Sequence, residues 1–185
     1  MTLFEFISVA VSIVLALSSG QILLNLREVF DPTRRYWVHA LWVVHVLFLH
    51  ILTWWALWAF RDIEAWNLAT FTVVLLPPGL LFVTTSALVS NMSSSDESWE
   101  THFYSVRRWF FAARSLFLIA AGFRTWLLLD KNLLESPTPV SVPILALCVV
   151  GFIFSGSRTQ GVVAVATMVL LVFGVAYFRL EAGAR

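Results

Sequence analysis

Six apolar segments, at residues 3–25, 36–60, 67–90, 109–129, 140–155 and 161–178, fill most of this 185-residue chain. No other feature constrains the fold as strongly. A helix that crosses a bilayer needs about 20 apolar residues. In hydrocarbon, backbone polar groups must be bonded within the segment, so each of these runs is expected to be a helix. The intervals between them are short and polar: Arg27-Glu28 with Asp31 to Arg35, Arg61 to Glu64, Asn91 to Arg108, Asp130 to Pro139, and Ser155 to Arg158. Hydrophobic residues make up 59% and charged ones 12%, against about 45–50% and about 25% in soluble chains. The expected architecture is an all-α integral membrane bundle of six transmembrane helices, one transmembrane domain over 1–185. Five spans plus a re-entrant segment is the alternative, because the fifth run is short and carries Pro143 near its start.

No soluble domain fits in the intervals, so the lipid bilayer is the principal partner. A net charge of +1 gives no field to recruit nucleic acid, and no such partner is expected. The single cysteine, Cys148, excludes an intrachain disulfide. The first basic residue, Arg27, follows the first apolar run rather than preceding it, so that run is read as an uncleaved span.

Orientation follows from lysine and arginine in short loops. With the N-terminus outside, Arg27, Arg34, Arg35, Arg107, Arg108 and Arg158 lie inside, against Arg61, Lys131, Arg179 and Arg185 outside. Tyr36 and Trp37 open the second segment and Trp54, Trp55 and Trp58 close it, as interfacial aromatic belts do. Asn91-Met92-Ser93 has the form of a glycosylation sequon, but this topology turns it to the cytoplasm. Ser94 and Ser95 are candidate caps for the fourth helix, with Asp96, Glu97 and Glu100 in its first turns, where the helix dipole favours negative charge.

Several polar groups fall inside the apolar runs, where an ionisable residue is a functional candidate by default. Glu5 and Arg124 come to similar outer depth, so an ion pair between the first and fourth segments is expected. Arg114 and Arg124 otherwise have snorkelling available to them. His39, His45 and His50 are spaced six and five apart, which denies any pair the i, i+4 geometry that grips a metal. No metal site is expected. A haem on His45 or His50, with Met168 as a conceivable partner, is short of facing ligands, and no cofactor is assigned. Interhelical hydrogen bonding is the preferred role for all three histidines.

Pro77, Pro78 and Gly79 sit at the middle of the third segment. Two prolines remove two backbone donors, so the helix is expected to kink or break there, and broken helices at mid-membrane line binding sites. Ser8, Ser12, Ala16 and Gly20 form a small-residue stripe expected at a close helix contact, within the chain or in a homo-oligomer seam. There is no GxSxG, HExxH, CxxC or phosphate-binding glycine loop, so no catalytic residue is assigned and no enzyme is expected.

The string Tyr36-Trp37-Val38-His39 with Trp54-Trp55, followed by Arg107-Arg108-Trp109-Phe110-Phe111, resembles a group of small bacterial polytopic membrane proteins of unassigned activity. The resemblance spans the chain and implies a multi-pass protein of the bacterial inner membrane; it carries no function. The expected activities are a small channel or transporter, an accessory membrane subunit in which the polar groups serve packing, or a haem-bearing electron carrier.

Overall fold

The computed structural model describes residues 2–63, 66–89, 98–129 and 140–182, with side chains described as far as residue 176. Six α-helices follow one another: α1 (Leu3–Val29), α2 (Trp37–Ala56, continued by a 3-10 turn at Leu57–Phe60), α3 (Leu68–Val89), α4 (Trp99–Leu129), α5 (Ser141–Ile153) and α6 (Ser157–Ala182). Five are long and apolar enough to cross a membrane. The 13-residue α5 is about 20 Å long at about 1.5 Å per residue, shorter than a hydrocarbon core.

Side-chain contacts fix the directions. Trp54 and His50 of α2 meet Ser12 and Ser18 of α1, so these helices are antiparallel. Phe6 stacks on Phe71, and Ser18 bonds Thr85, so α1 and α3 run together. His39 lies beside Trp99 and His45 beside Arg114, so α2 and α4 are parallel. At one end of α5, Ser141 and Val142 share a groove with Phe123 and Trp126; at the other, Gly151 meets Phe111. The short fifth helix therefore runs the length of α4 between Phe123 and Phe111 instead of returning to the side it entered, unlike the re-entrant alternative. The connections alternate end to end. The arginines at 27, 34, 35, 107, 108 and 158 consequently gather at one end of the bundle.

The outside is as apolar as the inside. Leu17, Leu24, Ile51, Trp55, Ile119, Val169 and Phe173 are exposed, while His39, His45, Thr84, Thr85 and Arg114 are buried. In water, an exterior like this would exceed the few hundred Å² of contiguous apolar patch that soluble monomers carry; facing lipid it costs nothing. The shared core runs through Ile7, Val11, Leu15 and Ile22 of α1, Trp42 and Val46 of α2, Leu81 and Leu88 of α3, and Phe103, Phe110 and Phe111 of α4.

The capping chemistry is local. Thr2 and Glu5 form a capping box at the start of α1. Asp31 accepts from both the backbone N–H and the hydroxyl of Thr33, and those bonds hold its carboxyl below its usual range. Ser98 Oγ accepts from Thr101 N and caps α4, with Glu100 in the first turn as expected. Ser94, Ser95, Asp96, Glu97 and the Asn91 sequon lie outside the described residues. α4 starts ten residues before its apolar run because that stretch is amphipathic: Trp99, His102, Phe103 and Arg107 turn inward between polar neighbours.

Three expectations are corrected. α3 is a continuous helix through Pro77, Pro78 and Gly79 rather than a broken one. The prolines leave the carbonyls of Val73 and Val74 without their helical donors; the hydroxyls of Thr72 and Thr84 bond Leu68 O and Leu80 O and so do not replace those donors. Second, the small stripe is not the face of α1 that packs within the chain: Ala16 is exposed and nothing lies within 4 Å of a Cβ placed on Gly20. The adjacent row of Ile7, Val11, Leu15, Ser18 and Ile22 is buried in its place, and Ser12 accepts a hydrogen bond from Trp54 of α2. Third, Glu5 and Arg124 do not pair. α3 packs between α1 and α4, so equal depth does not make those two helices neighbours.

Candidate functional site

Along α2 the three histidines mark three polar layers, each buried and each differently satisfied. The layer nearest the arginine-rich end holds His39. Its Nε2–H donates to Leu88 O at 2.9 Å, because a carbonyl can only accept. The ring stacks on Trp99 at 4.5 Å between centroids, with His102 edge-on at 6.1 Å. Trp99 is itself anchored, its indole N–H donating to Glu28 O at 2.8 Å. Nδ1 of His39 is left as an unused acceptor among the described residues.

Furthest from that end, His50 is fully bonded. Nδ1 donates to Val46 O at 2.8 Å, and Nε2 lies 2.7 Å from Ser18 Oγ, which is 3.0 Å from Thr85 Oγ1. This chain ties α2, α1 and α3 together, which is the interhelical hydrogen bonding that sequence reasoning preferred for the histidines.

Between them sits the layer that packing alone does not explain. The backbones of α2 and α4 are bridged by long side chains: Trp42 and His45 from one, Phe110, Phe111 and Arg114 from the other. Arg114 is 1% exposed and does not snorkel. Its Nη2 donates to His45 Nε2 at 2.5 Å, and its Cζ stands 5.5 Å from the Trp42 ring centre. Cys148 of α5 stands beside the guanidinium. Guanidinium has no acceptor, so His45 Nε2 must accept and Nδ1 carries the ring proton. Arg114 Nε and Nη1, His45 Nδ1 and Trp42 Nε1 then remain as four buried groups without hydrogen-bond partners among the described residues. All four are donors. Thr167 Oγ1, also buried and unpartnered, comes to similar depth. It lies six residues (about 9 Å) past Gly161, which faces Trp37, and Trp42 and His45 lie about 7.5 and 12 Å past that same tryptophan.

No described carboxylate answers this charge. Glu5, Glu28, Asp31, Asp62 and Glu100 all belong to helix termini or connections. Arg124, 4% exposed, lies with its Cζ 4.7 Å above the Phe60 ring, and its Nε and Nη1 have no hydrogen-bond partner among the described residues. Glu5 is exposed in its capping box.

Arg107 has a different task. One of its terminal nitrogens donates to the carbonyls of Gly151, Phe152 (2.8 Å) and Phe154 (3.1 Å), joined by Gln160 Nε2 on Gly151 (2.9 Å) and Phe154 (2.6 Å). These are the orphan carbonyls at the end of α5, where the helix dipole favours a cation. The arrangement holds α5 and α6 against α4.

The sequence identified Arg114 and His45 but did not join them, and it missed Trp42, Arg107 and Gln160 as partners. A depth count on parallel helices finds the first pair: His45 is eight residues beyond Trp37, and Arg114 is seven beyond Arg107. Among the described residues, no group of three or more His, Cys, Asp or Glu is placed to hold a metal. A surface groove of about 410 Å³ between α4 and α5 is lined by Leu118, Ile119, Gly122, Phe123, Trp126 and Leu145 among others, and is apolar. Comparison with protein-family models, with curated proteins and with solved structures returns no match.

Proposed function

We propose that this chain is a small transporter-like protein of the bacterial inner membrane, moving a small solute through the polar layers along α2. One observation carries the reading: the Arg114 layer is buried and donor-rich without matching acceptors. A buried charge without a counter-charge costs at least about 2.5 kcal/mol in a span, and a group kept only for packing is expected to be satisfied, as His50 is. Unsatisfied donors in a dry core are what a binding site in its empty state presents. An accessory role fits the His50 layer and the Arg107 contact well, and the Arg114 layer poorly. The haem reading is supported least, because the Nε2 atoms of His39, His45 and His50 already face Leu88 O, Arg114 and Ser18.

Purified protein in liposomes, challenged with osmotic gradients of small anionic, cationic and neutral solutes, tests the reading. Shrinkage recovery faster than in empty liposomes for one class supports it; rates equal to empty liposomes for every class refute it. The arginine-rich end is assigned to the cytoplasm. Cysteine placed at Ser95 should then resist an impermeant thiol reagent in intact cells, and labelling there would reverse the orientation.

A further inference from the structure

We infer that Arg114, His45 and Trp42 form a binding site for a small monovalent anion, of the class of nitrate, formate or a halide. The inference rests on the transporter reading above and names the solute class and the residues that select it.

Chemistry of the open groups sets the class. Arg114 Nε and Nη1, His45 Nδ1 and Trp42 Nε1 are donors from three side chains in one layer, with Trp42 and His45 ring centres 5.5 Å apart and Arg114 within hydrogen-bond distance of His45. Apart from the Cys148 sulfur beside Arg114, a weak acceptor, and the Thr167 hydroxyl, the layer offers donors only, and such a surplus attracts a ligand that only accepts. Neutral solutes carrying their own N–H or O–H would add unpaired donors, and cations are repelled by the guanidinium. Charge sets the valence. With no described carboxylate in the interior, the layer carries one positive charge, so a monoanion leaves it neutral. A sulfate or hydrogen phosphate dianion would leave a net negative charge in a low-dielectric core. Size follows from burial: Trp42, His45 and Arg114 are each 1% exposed, and Phe110 and Phe111 pack edge-on against Trp42 at 5.1 and 5.4 Å. A ligand of a few atoms is therefore favoured over an organic acid with a side chain.

Trp42 gives the discriminating variant. Trp42→Phe keeps an aromatic ring against Arg114 but deletes one donor, so a merely structural tryptophan would leave anion dependence unchanged. The experiment titrates sodium nitrate and sodium formate into the full-length protein in detergent at constant ionic strength, with sodium sulfate as counter-salt. Two signals are read: melting temperature and the indole N–H resonance of Trp42, assigned by its loss in Trp42→Phe. Saturable stabilisation by nitrate and formate, with a matching shift of that resonance, is expected. Trp42→Phe should raise the half-saturating concentration about tenfold, the scale of one hydrogen bond to a charged group, and Arg114→Gln should abolish saturation. Should Arg114→Gln fail to fold, Trp42→Phe and the indole shift decide alone.

A non-saturable response overturns the site, as does an equal response to sulfate, or affinity unchanged in Trp42→Phe. Saturable binding without flux would overturn the transporter reading and leave the site standing. Nitrate flux persisting in Arg114→Gln would overturn the site and leave transport standing.

Discussion

The Arg114–His45 contact makes an asymmetric prediction about stability. Removing His45 strands the guanidinium. In His45→Leu the bond at 2.5 Å is gone, and Nη2 joins Nε and Nη1 as donors without a partner. An uncompensated buried charge of this kind costs about 3–5 kcal/mol. Removing Arg114 is different, because gains offset losses. Arg114→Met forfeits the charge-assisted bond, about 1.5–3 kcal/mol, and the Trp42 cation–π contact, about 0.5–2 kcal/mol. It relieves a buried charge that costs at least about 2.5 kcal/mol and two stranded donors at about 1–3 kcal/mol each. Arg114→Met should therefore lie within about 1 kcal/mol of the wild type, or above it. The double variant should resemble Arg114→Met, which leaves a coupling of about 3 kcal/mol in the cycle. Equilibrium unfolding in mixed micelles, by denaturing-detergent titration, measures all four proteins. Arg114→Met costing more than His45→Leu, or the two losses adding, would mean that Arg114 has another partner, and would refute the donor-excess account.

Arg107→Gln should release the end of α5, because three carbonyl contacts depend on one nitrogen; Cys148, buried in the folded protein, should then react with a permeant maleimide. Gly151→Ala should cost about 1–3 kcal/mol by overpacking, since a Cβ there overlaps the Phe111 ring, and Phe111→Leu should restore part of the loss; Gly20→Ala, in open space, should be neutral or stabilising by up to about 1 kcal/mol through helix propensity. Glu5→Gln and Arg124→Gln should be additive in melting temperature, because α3 separates their helices; a recovering double variant would reinstate the ion pair.

Helix number and type were legible because a spanning segment must be both apolar and long, and that signal sits in the one-dimensional pattern. Where polar side chains interrupt the pattern, the reading lost residues: Trp99 to Arg108 belong to α4 because Trp99 and Phe103, with His102 and Arg107, turn inward, although the stretch as a whole is polar. Depth in the membrane was legible too, from distance along each run, but it favoured snorkelling for Arg114, which the structure buries. Lateral neighbourhood was not, since six helices can be arranged many ways at the same depths. Glu5 and Arg124 share a depth but not an interface, whereas His45 and Arg114 share both. As a contact within the chain, the stripe at Ser8, Ser12, Ala16 and Gly20 failed for a related reason. Small residues permit close approach but do not require it, and the buried face of α1 is set by Ile7, Val11, Leu15 and Ile22. Proline placement showed the converse: Pro77 and Pro78 are buried within an unbroken α3, so their two missing donors do not suffice to end a helix that is supported on both sides.

Nitrate influx into proteoliposomes, driven by an inside-positive potassium diffusion potential, tests most directly whether the Arg114 layer is a functional site. Wild-type protein should carry nitrate well above the rate of empty liposomes, and Arg114→Gln, reconstituted to the same density and shown to be folded, should fall to that background. Equal flux through Arg114→Gln would contradict it and return the buried arginine to a purely structural role, whereas wild-type rates equal to empty liposomes would overturn transport and leave the site to the binding titration.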